Sequence, residues 1–223
     1  MKMRSLASCV AVGCSLWLAA CGSSSSGSSS ASSASSSTAS AGPGVQQDSG
    51  VGYEGMPLEQ GPYLASPATT QSGEVDGISC GPTEQLLYHI HIHLEVWVDG
   101  RLYAIPAGVG IPGSQSVETN VGPVAEGGRC LYWLHTHTAD GVIHVESPLR
   151  RIYTLGNFFD VWHQSLSAGG VASATGKVTA FFNGKLWSKD PRLMPLIPHA
   201  VIQLEIGLPP PPLQTVDWSH SSL

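Results

Sequence analysis

The sequence predicts an α+β domain: one mainly antiparallel sheet of hairpins with a single short helix laid across it. Three observations carry this. Tyr88 to Val98 alternates in character with a period of two, the signature of a strand with one buried face. Asp99-Gly100, Asp140-Gly141 and Asn183-Gly184 punctuate such stretches, and these dipeptides favour tight hairpin turns. Only Leu155, Phe158, Phe159 and Trp162 recur at helical spacing, after a plausible N-cap at Thr154. The order hairpin, hairpin, helix, hairpin, strand is that of an α+β fold. A β-grasp-like arrangement is preferred, with a small β-sandwich as the alternative.

The N-terminus is a targeting segment, to be set aside from the fold. Lys2 and Arg4 precede an apolar run from Leu6 to Leu18, and Leu18-Ala19-Ala20-Cys21 follows. In this position the pattern resembles a bacterial lipoprotein precursor with its lipobox. The resemblance implies a signal peptide over 1–20, cleavage before Cys21, a lipid on its sulfur, and anchoring to the membrane through it. Gly22 and Ser23 follow without an Asp, which in lipoproteins of diderm bacteria implies the outer membrane, facing the periplasm. Residues 21–76 are rich in Ser, Gly and Pro and read as a tether with some local docking. About 50 residues of coil reach roughly 40 Å, enough to hold a domain off a membrane.

The globular domain is expected over 77–208, long enough to build one core, with a Pro-rich tail over 209–223. Of 10 basic residues, Lys2 and Arg4 leave with the signal, so 8 face 16 acidic ones and the mature formal charge is −8. Such a balance, with no basic patch, argues against nucleic acid. Cys9 and Cys14 lie in the signal and Cys21 is the anchor, so Cys80 and Cys130 remain. In an oxidising compartment a disulfide between them is the simplest expectation, tying the two His-rich stretches together near one end.

Those stretches hold six of the nine histidines. On the Tyr88–Val98 strand, His89, His91 and His93 share one face with Glu95 and Trp97, while Ile90, Ile92, Leu94, Val96 and Val98 form the core face. Cys130 to His137 and Val142 to Glu146 read as a hairpin about Asp140-Gly141. A two-residue turn there pairs His137 with His144 and His135 with Glu146. A four-residue loop pairs His135 with His144 instead. A three-residue loop is disfavoured, because it takes Ile143 and Val145 off the apolar face.

After Val98 come a return strand over 101–105 and a Gly/Pro-rich loop from Pro106 through Arg129. Ala107 to Gly113 has none of the spacing of a phosphate-binding loop. After the helix, His163 is expected as a partner of its C-terminal dipole. Lys177–Phe182 and Lys185–Trp187 form a hairpin, and Ala200–Ile206 a last strand with Ala200, Ile202, Leu204 and Ile206 inward. His199, at its start, is expected to be exposed.

Imidazoles at cross-strand spacing, about 4.5–5.5 Å between Cβ atoms, with a carboxylate beside them suit a transition-metal site. The expected ligands are His91, His93, His135, His137 and His144, then His89 and Glu146. Neutral imidazole suits Cu²⁺ or Zn²⁺, and a mature chain with only Met56 and Met194 is no Met-rich Cu⁺ carrier. The reading is a lipoprotein that binds Cu or Zn for sequestration, delivery or sensing. One alternative is a metalloenzyme with three His ligands and an open position, Glu146 or Glu95 acting as base. The other is a partner-binding or adhesion domain without metal. No nucleophile triad or His-Glu-x-x-His helix is present.

From about Tyr88 to Ile206 the pattern His-Ile-His-Ile-His, Cys-Leu-Tyr-Trp-Leu-His-Thr-His and Gly-Val-Ile-His-Val-Glu resembles a group of His-rich secreted bacterial proteins, and the resemblance brings no activity with it. Separately, His91-x-His93 with a third His from 135, 137 or 144 resembles the zinc triad of α-type carbonic anhydrases. This domain is about half the size of theirs and matches no other motif.

Overall fold

The structure, a computed structural model, describes residues 50–52, 55–67, 73–119 and 122–221. The expected signal peptide, Cys21 and the Ser-rich tether up to residue 49 lie outside them. Sixteen strands and one α-helix follow in chain order, many strands being only two residues long. They are β1 (Cys80–Gly81), β2 (Tyr88–Val98), β3 (Arg101–Tyr103), β4 (Ser116–Thr119), β5 (Gly122–Ala125), β6 (Leu131–Tyr132), β7 (Leu134–His135), β8 (Val142–Ser147) and β9 (Tyr153–Thr154). After α1 (Leu155–Trp162) come β10 (Leu166–Ser167), β11 (Gly170–Val171), β12 (Ala174–Thr175), β13 (Val178–Phe182), β14 (Lys185–Trp187), β15 (Pro195–Leu196) and β16 (Val201–Ile206).

The body of the fold is a seven-stranded sheet in the order β14-β13-β16-β2-β8-β7, with β3 also on β2. The fold is thus α+β, mainly antiparallel, with one helix. The mixed character comes from β16 and β2, which run parallel, Val201 beside His93 through Ile206 beside Val98. β2 is the axis: β8 covers its first half, β3 its end, and β16 its other edge.

The alternation seen in the sequence sorts the two faces. Ile92, Leu94 and Val96 on β2, Ile143 and Val145 on β8, and Ile202 and Leu204 on β16 are fully buried in one core. Phe158, Phe159 and Trp162 of α1 join them. Each large side chain fully buried in this way contributes about 1.5–3 kcal/mol. The helix starts where Thr154 caps it: its side chain accepts from the Asn157 backbone N–H, and the Asn157 side chain accepts from the Thr154 N–H, satisfying two donors that the first turn leaves unpaired. It ends at His163, whose left-handed backbone forms the C-cap. Trp162 donates its indole N–H to the Ser66 carbonyl. Met56, Leu58 and Leu64 are likewise buried, so part of the stretch read as tether packs into the domain.

Several elements differ from expectation. The predicted strand over 130–137 is split by a bend at Trp133 and ends at His135. The Asp140-Gly141 hairpin takes the wider register, Leu134 opposite Val145 and His135 opposite His144, not the two-residue turn. The cause is competition for the backbone of residues 136–141. Thr136 pairs with Val109 and Gly108, Ala139 accepts from Glu59, and Gly141 accepts from Leu94. The Pro106–Arg129 loop contains a hairpin of its own, β4 with β5. Residues 166–175 form a small three-stranded sheet that no apolar alternation announces. Cys80 and Cys130 are bonded, on the short ladder that joins β1 to β6.

Candidate metal centre

β8 lies between β2 and β7, and this places three histidines on one rung. His91 is directly opposite His144, and His144 directly opposite His135. Directly opposed residues put their side chains on the same face of a sheet. The His91 and His144 rings meet edge to face at 67° with centroids 4.4 Å apart, and those of His135 and His144 stack at 5.6 Å. One step along, His89 is opposite Glu146, with its Nε2 3.2 Å from Glu146 Oε1. Glu146 Oε1 also lies 3.5 Å from His144 Nδ1 and 3.7 Å from His135 Nε2.

His137 stands past the end of β7, and its ring returns to the cluster, 4.7 Å from both His135 and His144. His135, His137, His144 and Glu146 can each offer a donor atom with all four within 4.8 Å of one another, and all four residues are buried. His89, His91 and His144 form a second such group, so His144 belongs to both.

The outer nitrogens of two rings are fixed by the fold. His135 Nδ1 is 2.8 Å from the Tyr132 carbonyl and His137 Nδ1 is 2.8 Å from the Ala125 carbonyl. A carbonyl only accepts, so each Nδ1 carries a proton and each ring turns its Nε2 toward the cluster. Those Nε2 atoms are 3.1 Å apart. Imidazole ligands are usually held in this way, with the far N–H tied to the protein and the near nitrogen facing the ion.

Gly110 makes the floor of this arrangement. Its φ is +72°, and a Cβ there would lie 2.2 Å from the Leu134 carbonyl oxygen and 3.1 Å from the Cβ of His135. The Gly/Pro-rich loop approaches β7 as closely as it does because this position has no side chain.

Electrostatics favour neutral rings. Burial, reinforced by neighbouring rings, lowers His135 and His144 to about 3 and His91 to about 4. Burial resists ionisation of Glu146, but the His144 and His89 ring nitrogens close beside it outweigh this and hold the carboxyl below the usual range. His144 Nδ1 and Glu146 Oε2 are buried without an aligned hydrogen-bond partner.

His93 does not join the cluster. Val142 is opposite it and ends the ladder of rings. His93 instead groups with Glu95, two residues on, and with Glu59. Burial lowers His93 to about 4 and raises both carboxyls. His199 is exposed, as expected, and stacks on Trp218 at 4.7 Å. Sequence reading missed Glu59 and Glu84. Glu84 Oε1 lies 3.6 Å from His137 Nε2, and both residues sit in stretches with no periodicity to flag them. It also missed the tail: Ser221 Oγ reaches His91 Nδ1 at 3.0 Å, and Gln214 donates its backbone N–H to the Gln203 side chain.

No protein-family model, no curated protein and no solved structure matches the chain, so the chemistry of the site is argued from its geometry alone.

Proposed function

We propose that this chain is a cell-envelope lipoprotein, anchored through Cys21, that binds a transition metal, Cu or Zn, through its strand histidines and holds it for sequestration, delivery or sensing. The observation that supports this most is the His135–His137 contact. Each Nδ1 proton is committed to a carbonyl, so with both rings neutral two Nε2 lone pairs would face each other at 3.1 Å and repel. A cation shared by the two nitrogens removes the repulsion, and His144 and Glu146 stand within reach to complete a four-donor set. Imidazole with one carboxylate suits Zn²⁺ or Cu²⁺, and the cluster has no thiolate or thioether to draw Cu⁺. Burial of all four donors favours holding an ion over presenting it to a substrate. The disulfide suits an oxidising compartment, and the lipobox pattern suits the envelope.

The test is elemental analysis of the full chain, purified without a histidine tag, beside His137→Ala and His144→Ala. Wild type is expected to carry stoichiometric Zn or Cu, and each variant to lose it. A metal-free wild type that takes up neither ion when refolded in its presence, or variants that keep their full content, would sink the proposal.

A further inference from the structure

We propose that Glu59, His93 and Glu95 form a second cation site, separate from the histidine ladder and different in kind: an oxygen-rich site for a divalent ion of the Mn²⁺ to Zn²⁺ series, with open positions facing a cavity. Each of the three can offer a donor atom within 4.8 Å of the others, and none of them belongs to either ring group. Val142 fills the next rung of β8 and keeps the sites apart.

Two donors point to a missing ligand. Glu59 is 5% exposed; its Oε2 accepts from the Ile105 N–H at 2.9 Å, while its Oε1 is buried with no partner. His93 is 7% exposed, and its Nδ1 is likewise buried with no partner. The third group is anchored too, since Glu95 Oε2 accepts from the Trp97 indole at 2.8 Å. Glu59 and Glu95 are thus each oriented through one oxygen, as ligating carboxylates usually are.

The backbone leaves room beside the donors. Gly141, with φ +75°, lies where a Cβ would come 2.8 Å from Glu59 Oε1 and 2.9 Å from His93 Nε2. All three residues line a partly open cavity of about 570 Å³, whose wall also includes Gln214–Asp217 of the tail and Met56, Leu58 and Leu102. Three protein donors leave a first-row ion short of its coordination number, and the cavity admits water or a small oxyanion to the remaining positions. Two carboxylates and one imidazole shift preference away from copper and towards ions that accept oxygen.

The inference does not rest on the ladder being a metal site, and the experiment separates the two. Mn²⁺ alone is titrated into the full chain, followed by its paramagnetic resonance and by water-proton relaxation. Wild type is expected to bind one equivalent and to enhance relaxation, because water remains on the ion. Glu59→Gln and Glu95→Gln should each weaken binding by at least about tenfold, the loss produced even by changing a residue that only hydrogen-bonds a ligand. His137→Ala should bind Mn²⁺ as wild type does. Should Glu59→Gln fail to fold, judged by its melting curve, Glu95→Gln carries the test, since Glu95 is only half-buried. Absence of Mn²⁺ binding in wild type, unchanged affinity in folded carboxamide variants, or loss of Mn²⁺ in His137→Ala would each overturn the proposal.

Discussion

His91 and His144 are direct cross-strand partners whose rings meet edge to face at 67°, 4.4 Å between centroids. Because His144 is also opposite His135, its imidazole is common to both groups of candidate ligands on this face. His144→Ala should therefore cost more bound metal than His137→Ala, and more than His89→Ala, which touches the edge. Equal retention across the three, measured as metal per chain after dialysis, would contradict a shared His144.

The same residue gives opposite signs with and without an ion. Buried polar atoms lacking a partner destabilise, and replacing them by apolar groups of similar shape is near neutral or better. In the metal-free chain His144→Leu made together with Glu146→Leu, which replaces both members of the buried pair, should leave Tm unchanged or raised. In the loaded chain it should remove the stabilisation that the ion gives wild type. A fall in Tm of the metal-free variant as large as that of the loaded one would argue for a structural role alone.

Acid should unfold the metal-free protein early. His135, His144 and His91 titrate at about 3, 3 and 4 in the fold, below the ordinary value of 6.5. The unfolded chain thus binds protons that the folded chain refuses, so stability is full above about pH 6.5 and is lost as pH falls from there towards 4 and 3. Glu146, held below its ordinary 4.5, adds a loss of the same sign below that value. Melting curves should show Tm level from pH 7.5 to about 6.5 and falling from there to pH 4.5, and a flat profile across the whole range would mean that the rings are not buried neutral.

Gly110→Ala tests the floor of the site without touching a ligand. The added methyl meets the Leu134 carbonyl and the Cβ of His135, at a left-handed backbone position besides. The expected result is a loss above about 1 kcal/mol together with reduced metal content, since β7 must shift and carry His135 with it. Unchanged metal content at a lowered Tm would separate the loop from the site.

Cys80→Ser with Cys130→Ser removes a link closing a 50-residue separation. The expected cost is about 2–4 kcal/mol, read by denaturant melting. The bond lies on the β1–β6 ladder one turn of chain before His135, so metal affinity should fall with it. A double variant with wild-type stability would show that β6 is held by its packing.

Much of this was legible from periodicity. Tyr88–Val98 is a strand over that whole span, and its alternation predicted which residues are buried in the core. The helix was legible too, because Thr154 and the Leu155–Trp162 spacing are local signals. What was not legible was decided by partners distant in sequence. The hairpin register depended on Val109, Glu59 and Leu94 taking the backbone groups of residues 136–141. Which histidines meet depended on β8 pairing with β2 on one edge and β7 on the other. His93 looked equivalent to His91 by parity, yet Val142 opposite it and Glu59 beside it give it different company. Glu59 sits in a Gly/Pro-rich run where sequence gives no period to read.

His91, His135, His137 and His144 are each at most 7% exposed. A nickel ion held on a chromatography resin therefore has no path to these four, so native retention rests on exposed histidines such as His163 and His199 and should strengthen once the chain is denatured. By the same reasoning, a physiological ion is most readily taken up while the strands are still closing over it, so that filling the centre and completing the fold become one event.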